Sequence, residues 1–262
     1  PRPVPTRDGR TYVELRGAVF ELSESLPGGY CPDLSLAQLA ETGRALARLH
    51  ELGKRFRHPG KRHFVREDHI SVLQPLLDEL GRLPNLPLDR RELTTLEREV
   101  ADVSAALDGG LYDALEQSVI HGDFHPGNVL YEADRLTAVL DYDYAAPGAT
   151  LRDLGDGLMF FASTHARPVD PADIWSLAQP WRIDEKRTAA FLRGYVSVRP
   201  IPPYWPQITL LMLSRWFQVR LRGARKVALD QKVRFVFADL WPPVQLLKRH
   251  YQAWLNLIID RL

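Results

Sequence analysis

Between His121 and Asn128 the chain reads His-Gly-Asp-Phe-His-Pro-Gly-Asn, and two further acids, Asp141 and Asp143, follow shortly after. One residue separates Asp123 from His121, and four residues separate it from Asn128. An acid that orients a hydroxyl and takes its proton, beside amide and carboxylate oxygens that hold Mg²⁺ against phosphates, is what phosphoryl transfer needs. The same residues admit two other readings. His121, Asp123 and His125 alternate, and such a cluster can hold Zn²⁺ in a metal-dependent hydrolase. Alternatively, the polar residues only cap the turns that Gly122, Pro126 and Gly127 impose, although this leaves the second acid at a strand end unexplained.

The elements around this run are those that place reacting groups. Val119 and Ile120 enter it and Val129, Leu130 and Tyr131 leave it; both runs are short and β-branched or aromatic, so they read as strands. A third strand, Leu136 to Leu140, ends at Asp141. The spacing therefore predicts a polar loop between strands, with Asp123 and Asp141 facing one cleft.

His121-x-Asp123, Asn128 and Asp141, in this order and strand context, resemble the catalytic loop of the aminoglycoside phosphotransferase and choline kinase family, small-molecule kinases with a protein-kinase-like fold. Leu140-Asp141-Tyr142-Asp143 stands where that family carries its metal-binding acid. The resemblance implies that Asp123 orients and deprotonates the acceptor hydroxyl. It implies that Asn128 and Asp141 bind Mg²⁺, with Asp143 as a helper at a second metal position. His121 would hold the loop's shape and His125 would pack its turn. Asp153, in Leu151-Arg152-Asp153-Leu154, matches an acid that braces the loop through backbone N–H groups. Glu24, Ser25 and Leu26 would form the hinge that hydrogen-bonds the base of ATP or GTP. Leu46-Ala47-Arg48-Leu49-His50 resembles the end of the first large-lobe helix, with His50 a packing residue.

Composition agrees with a folded enzyme and excludes little else. The chain has 262 residues, 45% hydrophobic and 26% charged. Its 34 basic and 33 acidic residues give a net charge of +1, so no strong field draws nucleic acid or a membrane. The lone Cys31 has no internal partner, which fits a reducing, cytoplasmic compartment.

The remaining pattern predicts a hairpin from Thr11–Leu15 and Ala18–Ser23 around Arg16 and Gly17. A helix follows the capping-box pair Ser35 and Gln38, with Leu36, Leu39, Ala40, Gly43, Leu46, Ala47 and Leu49 on its apolar face. Arg55 to Arg66 reads as a basic, solvated loop. Helices are expected over Ile70–Leu80, Leu88–Leu107 and Leu111–Gln117, with a turn at Leu83–Pro87. Ala145–Ala149 reads as a Gly/Pro loop. Further helices are expected from Leu151 to about Ser163, over Asp184–Val196, over Gln207–Gly223 as a buried helix, and from Val244 to Leu262 after Trp241-Pro242-Pro243. Asp156, Tyr204, Trp205 and Trp216 are candidates for facing a cationic acceptor, each with a packing role as the alternative.

The fold class is thus α+β and protein-kinase-like: residues 1–27 as a partial small lobe with hairpin and hinge, 28–262 as a mainly helical catalytic lobe. The expected function is phosphotransfer from a nucleotide to a hydroxyl of a small molecule such as an aminoglycoside, choline or homoserine. One departure stands out. The family's phosphate-positioning Lys has no counterpart, since the first Lys is Lys54, and the Gly-rich hairpin is missing too. A catalytically inactive binding or scaffold protein is therefore the alternative from another class. The oligomeric state is not legible.

Overall fold

The computed structural model describes residues 2–56, 69–83, 89–170 and 172–262. Most of the basic stretch 55–66 and of the turn 83–87 lies outside the described residues.

The chain opens with a hairpin, β1 (Val13–Leu15) and β2 (Ala18–Phe20), closed by Arg16 and Gly17 at φ 53° and 78°. Two successive left-handed residues make the tight turn whose twist matches the strands. Leu15, Val19 and Phe20 are exposed on it. Residues 2–4 run back along 22–24, with the Val4 amide donating to Leu22 O and the Glu24 amide to Arg2 O.

Ser35 caps α1 (Leu36–Arg55) in a full capping box with Gln38. Leu39, Leu46 and Ala47 are fully buried, whereas Leu36 at the first turn is exposed, contrary to the apolar stripe read from the sequence. α1 packs on α7 (Glu185–Val196) with its backbone almost in contact. A Cβ on Gly43 would lie 2.0 Å from Phe191 O, and one on Gly194 would lie 1.9 Å from Ala40 O. The two glycines set this helix spacing.

Between them come α2 (Ile70–Gly81), α3 (Arg90–Asp108) and α4 (Leu111–Ala114). α4 is shorter than expected because Gln117 already belongs to β3 (Gln117–Ile120). β4 (Val129–Glu132) and β5 (Arg135–Val139) form one antiparallel ribbon, and β3 pairs instead with β6 (Ala146–Ala149). The segment read as a Gly/Pro loop is thus a strand: Gly148 lies opposite Ser118 and Pro147 opposite Val119, so that β3 finds its ladder partner there.

α5 (Thr150–Asp156) runs into one wide π-helical turn, Gly157–Phe161, and ends before β7 (Ser163–His165) rather than continuing to Ser163. α6 (Ile174–Leu177) and β8 (Trp181–Ile183), which pairs with β7, lead into α7. α8 (Ile208–Gly223) is buried along most of its length, with Trp216 and Phe217 in the core. Arg220 stacks on the Trp216 ring at 4.3 Å and donates to Phe235 O and Ala238 O, tying α8 to α9 (Lys232–Phe237). The last helical stretch begins at Trp241, earlier than expected, because prolines are tolerated in a first helical turn, where the N–H groups have no intrahelical acceptor. It runs through α10 (Trp241–Leu246), a π-helical turn at Leu247–Tyr251 and α11 (Gln252–Ile259). Among the described residues, no helix is long and apolar enough to cross a membrane.

Candidate active site

The loop from His121 to Asn128 leaves the β3–β6 ribbon and enters the β4–β5 ribbon. Gly122 makes its turn at φ 79°, where a Cβ would meet Tyr144 O at 2.5 Å, so no other residue fits without strain. The loop is held from behind by Asp153 on α5. The Asp153 carboxylate is fully buried and accepts the amides of His121 at 2.6 Å and Gly122 at 2.9 Å, with His50 Nε2 at 3.4 Å. Burial opposes its charge, but His50, His121 and the Gly122 amide outweigh it, so its pKa lies below the ordinary carboxylate value. His50 is itself fixed by Tyr195 Oη at 2.9 Å. Asp153 thus accepts two loop amides from behind, and His50 packs between Asp153 and Tyr195.

His121 is buried, with Nε2 at 2.8 Å from Leu140 O and Nδ1 receiving the Asp123 amide at 3.3 Å. His121 therefore ties the loop to the end of β5. His125 receives the Gly127 amide on Nδ1 at 3.1 Å, and its Nε2 lies 3.5 Å from Asp123 Oδ2. The two imidazoles are committed to different partners, and among the described residues no group of three or more His, Cys, Asp or Glu side chains is placed to hold a metal ion. The zinc cluster suggested by the alternating residues is not assembled.

Asn128 Nδ2 donates to Asp123 O at 2.9 Å, which reserves Oδ1 as the atom that can meet a cation. The Asn128 carbonyl accepts the Leu140 amide at 2.8 Å, bringing Asn128 beside the residue that precedes Asp141. Asp141 is exposed and adopts a left-handed φ of 59°. Such backbone strain in a non-glycine residue is found chiefly at functional positions. Amide and carboxylate oxygens are the hard donors that Mg²⁺ prefers, so this pair fits the ion. Asp143 is exposed, its amide 3.4 Å from Asp141 Oδ1, and it is not part of the cleft wall.

Asp123, His125, Asn128 and Asp141 line one cleft of about 590 Å³, whose other wall carries Tyr144, Asp170, Arg215, Gln218 and Arg222. The two acids therefore face the same space, as the strand-loop-strand pattern predicts. Glu24, Ser25 and Leu26 are not part of its lining.

Arg215, which the sequence reading did not place, and Asp156, which it read as a candidate for facing a cationic acceptor, are central. Arg215 on α8 pairs with Asp123 Oδ1, and its Nε lies 3.1 Å from Asp156 Oδ1. Burial pushes the Asp123 carboxyl up, but Arg215 and His125 outweigh it and leave it far below the usual carboxylate range. Asp156 behaves oppositely. Fully buried behind the loop, it is pushed up to about 6, because Arg215 and Arg152 offset burial only in part and Asp153 and Asp123 add repulsion. It therefore does not face an acceptor, and Trp216 belongs to the core. A signal was available: Arg215, Gln218 and Arg222 form a polar stripe at helical spacing along the mostly apolar α8.

The sequence model described as "Phosphotransferase enzyme family" matches residues 1–189. The chain belongs to that family. Among relatives of this phosphotransferase-family chain, a homoserine kinase from Cupriavidus metallidurans is 28% identical over 246 residues, 92% of this chain and 64% of the relative. The chain thus spans less than two thirds of that relative, as it does of a homoserine kinase from Caulobacter vibrioides, of which it spans 57%. In fold, an aminoglycoside phosphotransferase from Alicyclobacillus acidocaldarius superposes with TM-score 0.59 at 19% identity, covering 100% of this chain and 78% of that one. An amicoumacin kinase held with AMP-PNP, Ca²⁺ and Ami gives 0.60 at 15% identity, covering 96% and 72%. The kinase-like, helix-rich α+β fold is therefore that of the family.

Proposed function

We propose that the full-length protein transfers a phosphoryl group from ATP or GTP to a hydroxyl of a small molecule, in the cytoplasm and with Mg²⁺. The observation that carries this reading is the placement of Asp123 and Asp141 on one cleft, with Asn128 hydrogen-bonded into the loop between them. Asp123 orients the acceptor hydroxyl and accepts its proton. Because its pKa is depressed, it is a weak base that works mainly by orienting the nucleophile; this suits a loose transfer in which the proton leaves late. Asn128 Oδ1 and the Asp141 carboxylate hold the cation, and Asp143 assists from outside the cleft wall. When bound, Mg²⁺ would neutralise the charge that develops on the phosphates. Residues 1–27 act as part of a small lobe, with Glu24, Ser25 and Leu26 as the strip against which the base lies, and 28–262 as the catalytic lobe.

The acceptor we favour is a hydroxylated amino acid or amino alcohol, of which homoserine is the example named by the relatives. The cleft offers an acid for the ammonium group and, where the acceptor is an amino acid, a cation for its carboxylate. Arg222 lies over the Tyr144 ring at 5.3 Å, where it can meet a carboxylate, and Asp170 can meet an ammonium group. The test is nucleotide consumption by the full-length protein against homoserine, choline, ethanolamine and aminoglycosides, with the product identified by mass. Mg²⁺-dependent phosphorylation of one acceptor class is expected. Nucleotide consumption that no hydroxylated acceptor stimulates would refute the reading.

A further inference from the structure

What aims the Asp123 carboxylate lies at residues 215 and 218, beyond the stretch that the family model matches. Arg215 sits in the buried length of α8, and a guanidinium there is tolerated only with its donors satisfied. Its partners come from three places. Nη2 donates to Asp123 Oδ1 in the loop, Nη1 to Gln218 Oε1 one turn along α8 at 2.9 Å, and Nε faces Asp156 Oδ1 on α5 at 3.1 Å. Gln218 Oε1 also accepts Arg152 Nη2 at 3.0 Å, while Arg152 Nη1 donates to Gly122 O at 3.2 Å. The loop, α5 and α8 are thereby joined in one buried ring of polar contacts.

The guanidinium is planar and rigid, so fixing two of its nitrogens fixes the direction of the third. Gln218 holds Nη1 by a hydrogen bond, the Asp156 carboxylate anchors the Nε side as an ion pair without a hydrogen bond, and Nη2 then points at Asp123. With Oδ1 taken, Oδ2 is the oxygen that remains for a hydroxyl, with His125 Nε2 3.5 Å from it. We propose that Arg215, held by Gln218 and Asp156, is a positioning residue for phosphoryl transfer: it turns the Asp123 carboxylate so that Oδ2 meets the acceptor hydroxyl. This rests on the function proposed above. A purely fold-holding ion pair is already available to Arg215 in Asp156 and would not require the carboxylate that faces the cleft.

The experiment uses the full-length protein and its variants Arg215→Lys, Asp156→Asn and the double variant Arg215→Met with Asp156→Asn. The double variant avoids leaving a buried carboxylate without its cation. Nucleotide KM, acceptor-dependent kcat and melting curves are measured on each. Misplacement of a reacting group by about 1 Å costs on the order of 100-fold. The double variant is therefore expected to lose about 10- to 100-fold in kcat relative to Asp156→Asn, with nucleotide KM changed by less than about twofold. Arg215→Lys keeps the charge but loses the fork, so it should fall between parent and double variant. A folded double variant with the kcat of Asp156→Asn overturns the inference. If the double variant does not fold, Arg215→Lys decides: parent-like kcat overturns the inference, and a drop of about fivefold or more at unchanged nucleotide KM supports it. An inactive parent removes the proposed function and this inference together, whereas an active parent with unaffected variants removes this inference alone.

Discussion

Replacing Asp153 with Ala tests how the loop is held. Its carboxylate accepts two backbone N–H groups, at 2.6 and 2.9 Å, and faces His50 at 3.4 Å, all in a site closed to water. Alanine leaves the amides of His121 and Gly122 buried without an acceptor, at roughly 1–3 kcal/mol each. It also leaves His50 with Tyr195 alone. The expected loss is about 4 kcal/mol, a large share of the roughly 5–15 kcal/mol that holds a domain folded. At about 2–4 °C per kcal/mol, melting should fall by roughly 8–16 °C. Amide exchange at His121 and Gly122 should quicken together, since both lose the same acceptor. The pH dependence has a defined sign. Because the folded pKa of Asp153 lies below its ordinary 3.8, its contribution is present above that value and is lost only as pH falls through the folded pKa. The gap between parent and variant in urea unfolding should therefore stay constant from pH 6 to 8. A variant with parental melting and parental exchange at both amides would refute the bracing role.

Asp123→Asn should lower turnover of the full-length protein by about 10²- to 10⁴-fold with little change in nucleotide affinity, because it removes the carboxylate that orients the acceptor hydroxyl and takes its proton as the transition state forms; titrations and initial rates separate the two effects. Asp141→Ala should weaken Mg²⁺-nucleotide binding by about tenfold or more while leaving metal-free binding nearly unchanged, as read by calorimetry with and without the ion. Asp156→Asn should gain stability relative to the parent as pH rises from 4 to 7. The folded pKa of about 6 exceeds the unfolded 3.8, so the folded parent binds the extra proton in that window and loses stability as pH climbs. The relative gain should reach about 2–3 kcal/mol at pH 8, and a difference independent of pH would contradict it.

Which parts of this site could be read from the residues follows from the range of the forces involved. Ser35 and Gln38 cap α1 through contacts three residues apart, and the β-branched runs around the loop form strands as their neighbours dictate, so both were legible locally. β6 was not, because Ala146, Pro147 and Gly148 carry no strand preference and pair only where β3 offers its ladder. The candidate site residues were legible for the same local reason: Asp123, Asn128 and Asp141 keep a fixed spacing on either side of a strand pair. What holds them depended on residues 92 positions apart, since Asp123 meets Arg215 only after α5 and α8 have packed. That packing leaves its own mark, however. Asp153 and Asp156 lie three apart in α5, and Arg215 and Gln218 three apart in α8, each pair on an otherwise buried helix. Ionisable and polar residues at helical spacing on a face that must be buried require partners of opposite charge or hydrogen-bonding partners, because a buried polar group or charge without one is too costly to keep. Two such helices in one chain, one acidic and one basic, therefore predict that they face each other. The catalytic loop is the third party to that contact, which is why a change at Arg215 should be felt in turnover rather than in the fold alone.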